Sequence, residues 1–393
     1  VDNYLVDSVG ILDLTTDAQL VATQDGKFAI KGRVAARTRR IFNEGARTFL
    51  GGNAFVSSDI LYGEDGRASF SNLRLSAPQF RVTRGSGRYD PNGAILVDAD
   101  AYSTQYGPMT ARVTGTIDAT QVLLKASRPG VGVGLVNLEA RVRGKGGAYA
   151  VLATGGTDYG PFSADVLVRP GRTLAIDVNK VRFAGVDAHG RLNQTPAGPF
   201  AGQLQFAGSG LTGNVLLANQ RGFQRADVDT RAYAARIPGA VDFTIGRAIV
   251  KASVVLTEQP QVVADAQVAN LRYGTFILSS ARAKANYTGG NGIVQAVATG
   301  TSGVPFQIAA NARLNPRDWL VALKGQTNGV AFRTNRPLDI QPVRGGYRLL
   351  PGQIDFSTGS LRLAGEYGRG TKLQARLDDF DLSVFNAVVP SMG

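Results

Sequence analysis

A two-residue alternation of apolar and polar side chains recurs along almost the whole chain of 393 residues. In residues 109–117, Met109, Val113 and Ile117 fall on one side of an extended backbone, and Arg112 falls on the other. Successive side chains of a β-strand point to opposite faces, so a period of two predicts strands with one buried face. A parallel sheet covered by helices would have continuously apolar strands instead. The sequence therefore predicts antiparallel hairpins.

The same alternation gives a set of side chains that would line the apolar face. These candidates share an aliphatic or aromatic side chain at an inward position of a predicted strand. They are Met109, Val113, Ile117, Leu138, Val142, Leu174, Ile176, Val178, Leu204, Phe206, Leu361, Leu363, Leu373 and Leu377.

A short turn followed by Gly-Pro and an apolar residue opens several of the predicted strands. It occurs at residues 107–109, 160–162 and 198–200, with a looser copy at 303–306. Proline is tolerated at the first residue of a strand, where its missing N–H costs least. The copies indicate a repeated hairpin unit, and roughly 25 to 30 strands are expected from the alternating runs and their turns.

The predicted fold class is all-β: a long, mostly antiparallel sheet of repeated hairpins with one or two short helices. Residues 1–393 are interpreted as one continuous elongated segment, curled into a groove with an apolar interior. A long open sheet curls or folds over, but alternation alone does not separate a groove from a barrel or a sandwich. One helix is predicted at 38–50, from an apolar stripe that includes Ile41, Phe42 and Phe49, and another at 382–390, ending at Pro390.

Composition supports a folded, basic protein. Hydrophobic residues make up 44% and charged residues 19%, which excludes a disordered chain, and the net charge is +13. Most basic residues alternate singly within strands, which predicts a solvated sheet face, while Arg37, Arg39 and Arg40 form one cluster. Because most Phe and Tyr residues belong to the opposite, apolar set, no nucleic-acid partner is predicted.

The ends of the chain predict an interior piece of a longer protein. The sequence begins at Val1 without a signal peptide and stops at Gly393 without a polar tail, and it contains no apolar run of 18 residues.

No combination of residues predicts catalysis, a cofactor or a metal. His189 is the only histidine and there is no cysteine, which argues against Ser-His-Asp and zinc chemistry. The Asp-x-Asp pairs at 98/100, 227/229 and 379/381 lack the spacing of a calcium loop. Residues 208–213 match G-x-G-x-x-G, but the residues after them read as a strand and not as the helix that a dinucleotide site needs.

The chain resembles the TamB family of translocation and assembly module proteins, within the AsmA-like group of bacterial envelope proteins. The resemblance rests on Leu-x-Leu-x-Gly repeats such as residues 361–365, and on the closing stretch 377–390. In that stretch a Leu-Asp-rich strand runs into a short helix that ends at a proline, as the family's linker does.

The resemblance implies a non-enzymatic, lipid-conducting β-groove, also described as a β-taco. Such a protein would guide phospholipids through the periplasm of a Gram-negative bacterium, between the inner and outer membranes, and would support outer-membrane protein assembly. Its expected partners are phospholipid acyl chains and an Omp85-type outer-membrane barrel. The inner-membrane anchor and the contact with the barrel would lie in parts of the parent protein outside this chain.

Three other functions remain open at this point. An adhesin-like β-solenoid or sandwich would use the apolar residues only as a closed core. A chaperone could hold unfolded strands by adding them to a sheet edge. A polysaccharide-active enzyme would need a carboxylate pair in an aromatic cleft, and the chain has a single tryptophan, Trp319.

Overall fold

A computed structural model describes residues 2–6, 10–22, 27–42, 47, 49–116, 119–129, 134–237, 243–343, 345–368 and 370–379. Its secondary structure is almost entirely β-strand, and the predicted all-β fold class is confirmed. The strands fall into two compact units, Val1–Phe183 and Ala184–Gly393. In the described part of the chain there is no helix that is both long and apolar enough to cross a membrane.

The first unit contains thirteen described strands. They are β1 Tyr4–Val6, β2 Gly10–Ala22, β3 Phe28–Ile41, β4 Phe55–Gly63, β5 Ala68–Ser76, β6 Phe80–Tyr89, β7 Ala94–Ser103, β8 Gly107–Thr116, β9 Thr120–Ala126, β10 Val136–Lys145, β11 Ala148–Thr157, β12 Gly160–Arg169 and β13 Ala175–Phe183. Each strand from β1 to β12 pairs antiparallel with the next one in the sequence.

The second unit contains fifteen described strands. They are β14 Val186–Gln194, β15 Phe200–Gly208, β16 Leu211–Gln220, β17 Phe223–Ile237, β18 Phe243–Leu256, β19 Gln261–Tyr273, β20 Phe276–Thr288, β21 Asn291–Ser302, β22 Val304–Leu314, β23 Trp319–Thr327, β24 Val330–Thr334, β25 Leu338–Val343, β26 Gly346–Phe356, β27 Gly359–Tyr367 and β28 Thr371–Asp378.

The second unit is also a meander of antiparallel neighbours, with one local irregularity. β24 and β25 both pair with β23 on one side and with β26 on the other, so the two short strands share one position in the sheet. Pro337 lies in the break between them, and it has no N–H with which to continue a ladder of hydrogen bonds. Within the described residues of either unit, no pairing joins the first strand of the unit to the last.

The Gly-Pro turns open strands as the sequence predicts. β8 begins at Gly107-Pro108, β12 begins at Gly160-Pro161, and Pro305 is the second residue of β22. In the third copy Pro199 directly precedes β15. The residues after the G-x-G-x-x-G match also form a strand, β16, so that interpretation is confirmed.

The helix predicted at 38–50 is wrong over its first four residues, because Thr38, Arg39, Arg40 and Ile41 belong to β3. Ile11 lies opposite Arg40 and Leu12 opposite Thr38, so Arg39 is the extra residue of a β-bulge. A bulge interrupts the period of two, so the alternation does not mark these residues as the end of a strand.

Of the rest of that predicted helix, residues 47, 49 and 50 are helical. Residues 43–46 and 48 lie outside the described part of the chain, as do the second predicted helix at 382–390 and the candidate Ile117.

Candidate functional site

The apolar residues of the first unit form rows that cross the sheet from strand to strand. One of these rows consists of valines, one from each strand from β7 to β13. Its members, each directly opposite the next, are Val97, Val113, Val122, Val142, Val151, Val166 and Val178. All seven are partly buried. The register thus brings three of the predicted residues, at 113, 142 and 178, into one continuous aliphatic row.

Neighbouring rows extend this surface. Met109 and Leu138 both lie opposite Ala126, so they occupy one row four residues away from the valines. Ile176 pairs with Val168. Leu174 directly precedes β13 and takes the same side by alternation. We call this side of the first unit, from β7 to β13, the apolar face of unit one.

The second unit has a corresponding surface, which we call the apolar face of unit two. Leu204 lies opposite Val215, and Val215 lies opposite Val228. From β18 to β22 the same row consists mainly of alanines. The row continues through Ala252, Ala264, Ala285, Val294, Ala312 and Val321. Small side chains therefore dominate the middle of this face.

The predicted residues near the end of the chain lie on the same side of β27 and β28. Leu361 pairs with Leu377, and Gly365 pairs with Leu373. Leu363 is partly buried opposite Gly352. Leu373 and Leu377 are 70% and 39% exposed, because the only described pairing of β28 is with β27.

Few of the described side chains are fully buried. Among the described residues, the buried cluster consists of Ala232, Ala235 and Ala248, with Leu211, Ile245 and Val268 packed against it. These residues come from β16 to β19, which are neighbours in one sheet, and not from two facing layers. Half of the other buried hydrophobic side chains are also alanines. The apolar faces are therefore partly buried by lateral contacts between strands.

The opposite face carries the charges, and its carboxylates are largely compensated across strands. Asp98 accepts a hydrogen bond from Arg112, directly opposite, with an Oδ1–Nε distance of 2.6 Å. Lys251 Nζ lies 3.5 Å from the carboxylate of Asp229, also directly opposite. This arrangement gives the Asp-x-Asp pairs at 98/100 and 227/229 a structural role as partners of basic residues.

Asp379, of the third Asp-x-Asp pair, and His189 both belong to the second unit. Asp379 follows β28 with a φ of 51°, and residue 381 lies outside the described part of the chain. His189 is exposed on β14, opposite Gln205. Over the described ranges, no group of three or more His, Cys, Asp and Glu side chains is placed to hold a metal ion.

A large cavity lies on the charged face of the second unit, and the alternation pattern of the sequence does not reveal it. The cavity has a volume of about 1110 Å³ and extends from β18 to β26. Arg247, Arg282, Lys324 and Arg333 line it, together with one acidic residue, Asp355. The four basic residues occupy polar positions of the alternating pattern. The strand register that brings them together cannot be derived from the sequence alone.

Comparison with known proteins identifies no relative. No family model matches the sequence, and neither the curated proteins nor the solved structures contain a significant match.

Proposed function

We propose that this chain is a non-enzymatic, lipid-conducting segment whose apolar faces shelter phospholipid acyl chains. The observation that carries the proposal is the unbroken aliphatic row from Val97 to Val178, which crosses seven strands without a polar side chain. The described pairings of these strands are with neighbours in the same sheet. Removing apolar surface from water is favourable, so such a face gains free energy from an apolar occupant.

The composition of the faces favours acyl chains over a folded protein partner. Specific protein interfaces combine an apolar centre with about one hydrogen bond per 100–200 Å². The central rows of unit one instead offer Val, Ala, Leu and Met side chains, whose contacts have no preferred direction. Each buried methylene contributes about 0.8 kcal/mol wherever it lies along the row, so a chain can slide without losing a specific partner.

The wider role follows from the resemblance to the TamB family and is part of this proposal. The segment would belong to an inner-membrane-anchored protein in the periplasm of a Gram-negative bacterium. It would guide phospholipids between the two membranes and support outer-membrane protein assembly. Contact with an Omp85-type barrel would be made by other parts of the parent protein.

The test uses two adjacent residues of β9 that point to opposite faces. Val122 belongs to the valine row, whereas Leu123 lies opposite Arg112 and Arg141 on the charged face. Val122→Asp places a carboxylate among the proposed acyl chains, and Leu123→Asp introduces the same charge on the solvated side. Both proteins would be purified from a bacterial envelope, and their bound lipids would be measured by native mass spectrometry and lipid extraction.

We expect phospholipid on the unmodified protein and on Leu123→Asp, and its loss from Val122→Asp with the β circular-dichroism spectrum retained. If the unmodified protein carries no lipid and Val122→Asp unfolds, the valine row is a closed structural core and the proposal is wrong. Val122→Thr, which is nearly isosteric, provides a milder variant if the aspartate is not tolerated. It should reduce the bound lipid without abolishing the fold.

A further inference from the structure

The 1110 Å³ cavity on the charged face of the second unit differs from the rest of that face in its charge. Four basic residues line it against one carboxylate, that of Asp355. This carboxylate already accepts a hydrogen bond from Gln353, with an Nε2–Oδ1 distance of 2.6 Å. Arg282 has an acidic partner, Asp265, at 3.3 Å. For Arg247, Lys324 and Arg333 the described residues provide no ion pair.

Two of these unpaired cations lie directly opposite each other. Lys324 of β23 is the cross-strand partner of Arg333 of β24, and Arg333 is in turn directly opposite Asp355 of β26. Like charges at such positions destabilise a sheet, because their side chains stand about 5 Å apart on one face. Arg362 and Arg376 of the same unit are also directly opposite each other, but both contact the carboxylate of Asp378, whereas no ion pair is described for Lys324 or Arg333. The single carboxylate of Asp355 compensates only part of the repulsion between 324 and 333, and an anion bound between the two cations would compensate the rest.

A second cavity on the same face supplies a comparison within the same unit. It has a volume of about 660 Å³ and contains Asp227, Asp229 and Asp265 together with Lys251 and Lys284. Both lysines have acidic partners, with Nζ–Oδ2 distances of 3.5 Å and 3.6 Å. Its charges are therefore balanced by the protein, whereas those of the larger cavity are not.

Apolar side chains lie between the cations of the larger cavity. Val297, which is 54% exposed, is directly opposite Arg282, and Ile249 is 36% exposed two strands away from Arg282. A parallel row of neutral hydrogen-bonding side chains completes the lining. It comprises Ser280, Thr299, Gln307 and Gln326. The volume is in the range of pockets that bind whole small molecules.

We infer that this cavity binds an anionic amphiphile, a small molecule with a phosphate or carboxylate group and a short aliphatic chain. The oxyanion lies between Lys324 and Arg333, where ammonium and guanidinium groups donate charge-assisted hydrogen bonds. The aliphatic chain lies along Val297 and Ile249. Because the site is on the face opposite the proposed acyl-chain rows, it does not depend on the proposed function.

The test is isothermal titration calorimetry of the full chain with octyl phosphate, octyl glucoside and inorganic phosphate. We expect octyl phosphate to bind with a component that Lys324→Gln weakens at least tenfold. Val297→Asn should weaken the same component by removing the aliphatic contact. Lys284→Gln, in the balanced cavity, should leave it unchanged. Lys324→Gln removes a like-charge pair, so it is expected to remain folded, and circular dichroism would verify this.

Three outcomes would overturn the inference. Equal affinity for inorganic phosphate would mean that the cations hold an adventitious ion only. Equal affinity for octyl glucoside, or binding that Lys324→Gln and Val297→Asn do not change, would place the ligand elsewhere. Binding at the apolar faces would be shared by the neutral glucoside and insensitive to Lys324→Gln, so failure of this inference is distinguishable from failure of the proposed function.

Discussion

Phe206 lies across Gly213 on the apolar face of unit two, and the ring comes so close that a Cβ on the glycine would be 2.7 Å from Cζ. The same pair of residue types recurs three more times at directly opposite positions. These are Phe70 with Gly87, Phe306 with Gly300, and Phe332 with Gly325. In each pair the ring covers a backbone that has no side chain of its own. These four rings thus lie against the glycines opposite them.

We expect Gly213→Ala to destabilise the protein by about 1–3 kcal/mol, the usual cost of adding a methyl group to a well-packed site. The added Cβ would meet the ring of Phe206 and, closer still, the carbonyl oxygen of Asp229. Urea unfolding followed by circular dichroism would measure the change. Gly370→Ala is the matched control, since no atom lies within 4 Å of its Cβ position. Equal midpoints for the two variants would show that the close approach carries no energy.

Most of the strands could be predicted because one period governs them. The runs at 136–143 and 372–377 alternate without interruption, and they lie within β10 and β28. The valine row could not be predicted in the same way. Each valine is visible in the sequence, but the row depends on the register of seven strands, which is set by turns and bulges. The basic cavity was missed for the same reason, since its cations come from β18, β20, β23 and β24.

The wrongly predicted start of the helix at 38–50 has a local cause that can be tested. Thr38 of β3 makes a reciprocal contact with the buried residue Ala54: its Oγ1 accepts a hydrogen bond from the N–H of Ala54 at 2.7 Å and lies 3.2 Å from the carbonyl oxygen of Ala54. Ala54 precedes β4, so this contact fixes where the next strand begins. It is invisible to a pattern of apolar residues.

Thr38→Val should therefore cost about 1–3 kcal/mol, because it leaves the buried N–H of Ala54 without that acceptor. Thr38→Ser keeps the hydroxyl and should retain most of the stability. Unfolding midpoints in urea for the two variants would separate the lost hydrogen bond from lost packing. A Thr38→Val protein as stable as the wild type would show that water or another group satisfies this N–H.

The pH dependence of stability should reflect the cross-strand ion pairs of the charged face. Asp59 accepts hydrogen bonds from Arg33 at 2.9 Å and from Asn72 at 2.7 Å, and these bonds hold its pKa below the ordinary 3.8. The folded protein therefore binds this proton less readily than the unfolded chain does. The stabilisation is present above the ordinary pKa and is lost as the pH falls through the lower, folded-state value.

We expect the stability of Asp59→Asn to fall less steeply than that of the wild type as the pH drops from 6 to below 3.8. Chemical denaturation at a series of pH values would measure both slopes. Glu258→Gln, an exposed carboxylate with no described ion pair, should keep the slope of the wild type. Parallel curves for Asp59→Asn and the wild type would mean that the Arg33 contact does not persist in solution.

The opposed cations Lys324 and Arg333 allow stability to be separated from ligand binding. Lys324→Glu converts a like-charge cross-strand pair into an opposite-charge pair, and Arg333 remains in place opposite it. We expect the variant to gain stability, by at most about 1 kcal/mol for exposed partners. The same substitution should abolish octyl phosphate binding, because a carboxylate now occupies the position of the anion. If Lys324 served only the stability of the fold, its replacement would not raise stability and abolish octyl phosphate binding at the same time.

Thermal unfolding and titration calorimetry on the same preparation would measure the two effects together. Raising the salt concentration should reduce the gain in stability, since exposed charges are screened over about 10 Å at 0.1 M ionic strength. If Lys324→Glu is less stable than the wild type, the lysine makes a stabilising contact and the like-charge argument fails. If it is more stable and still binds octyl phosphate, the cations at 324 and 333 are not the anion site. A gain in stability with loss of binding would show that the chain retains an unfavourable charge pair for the sake of a ligand.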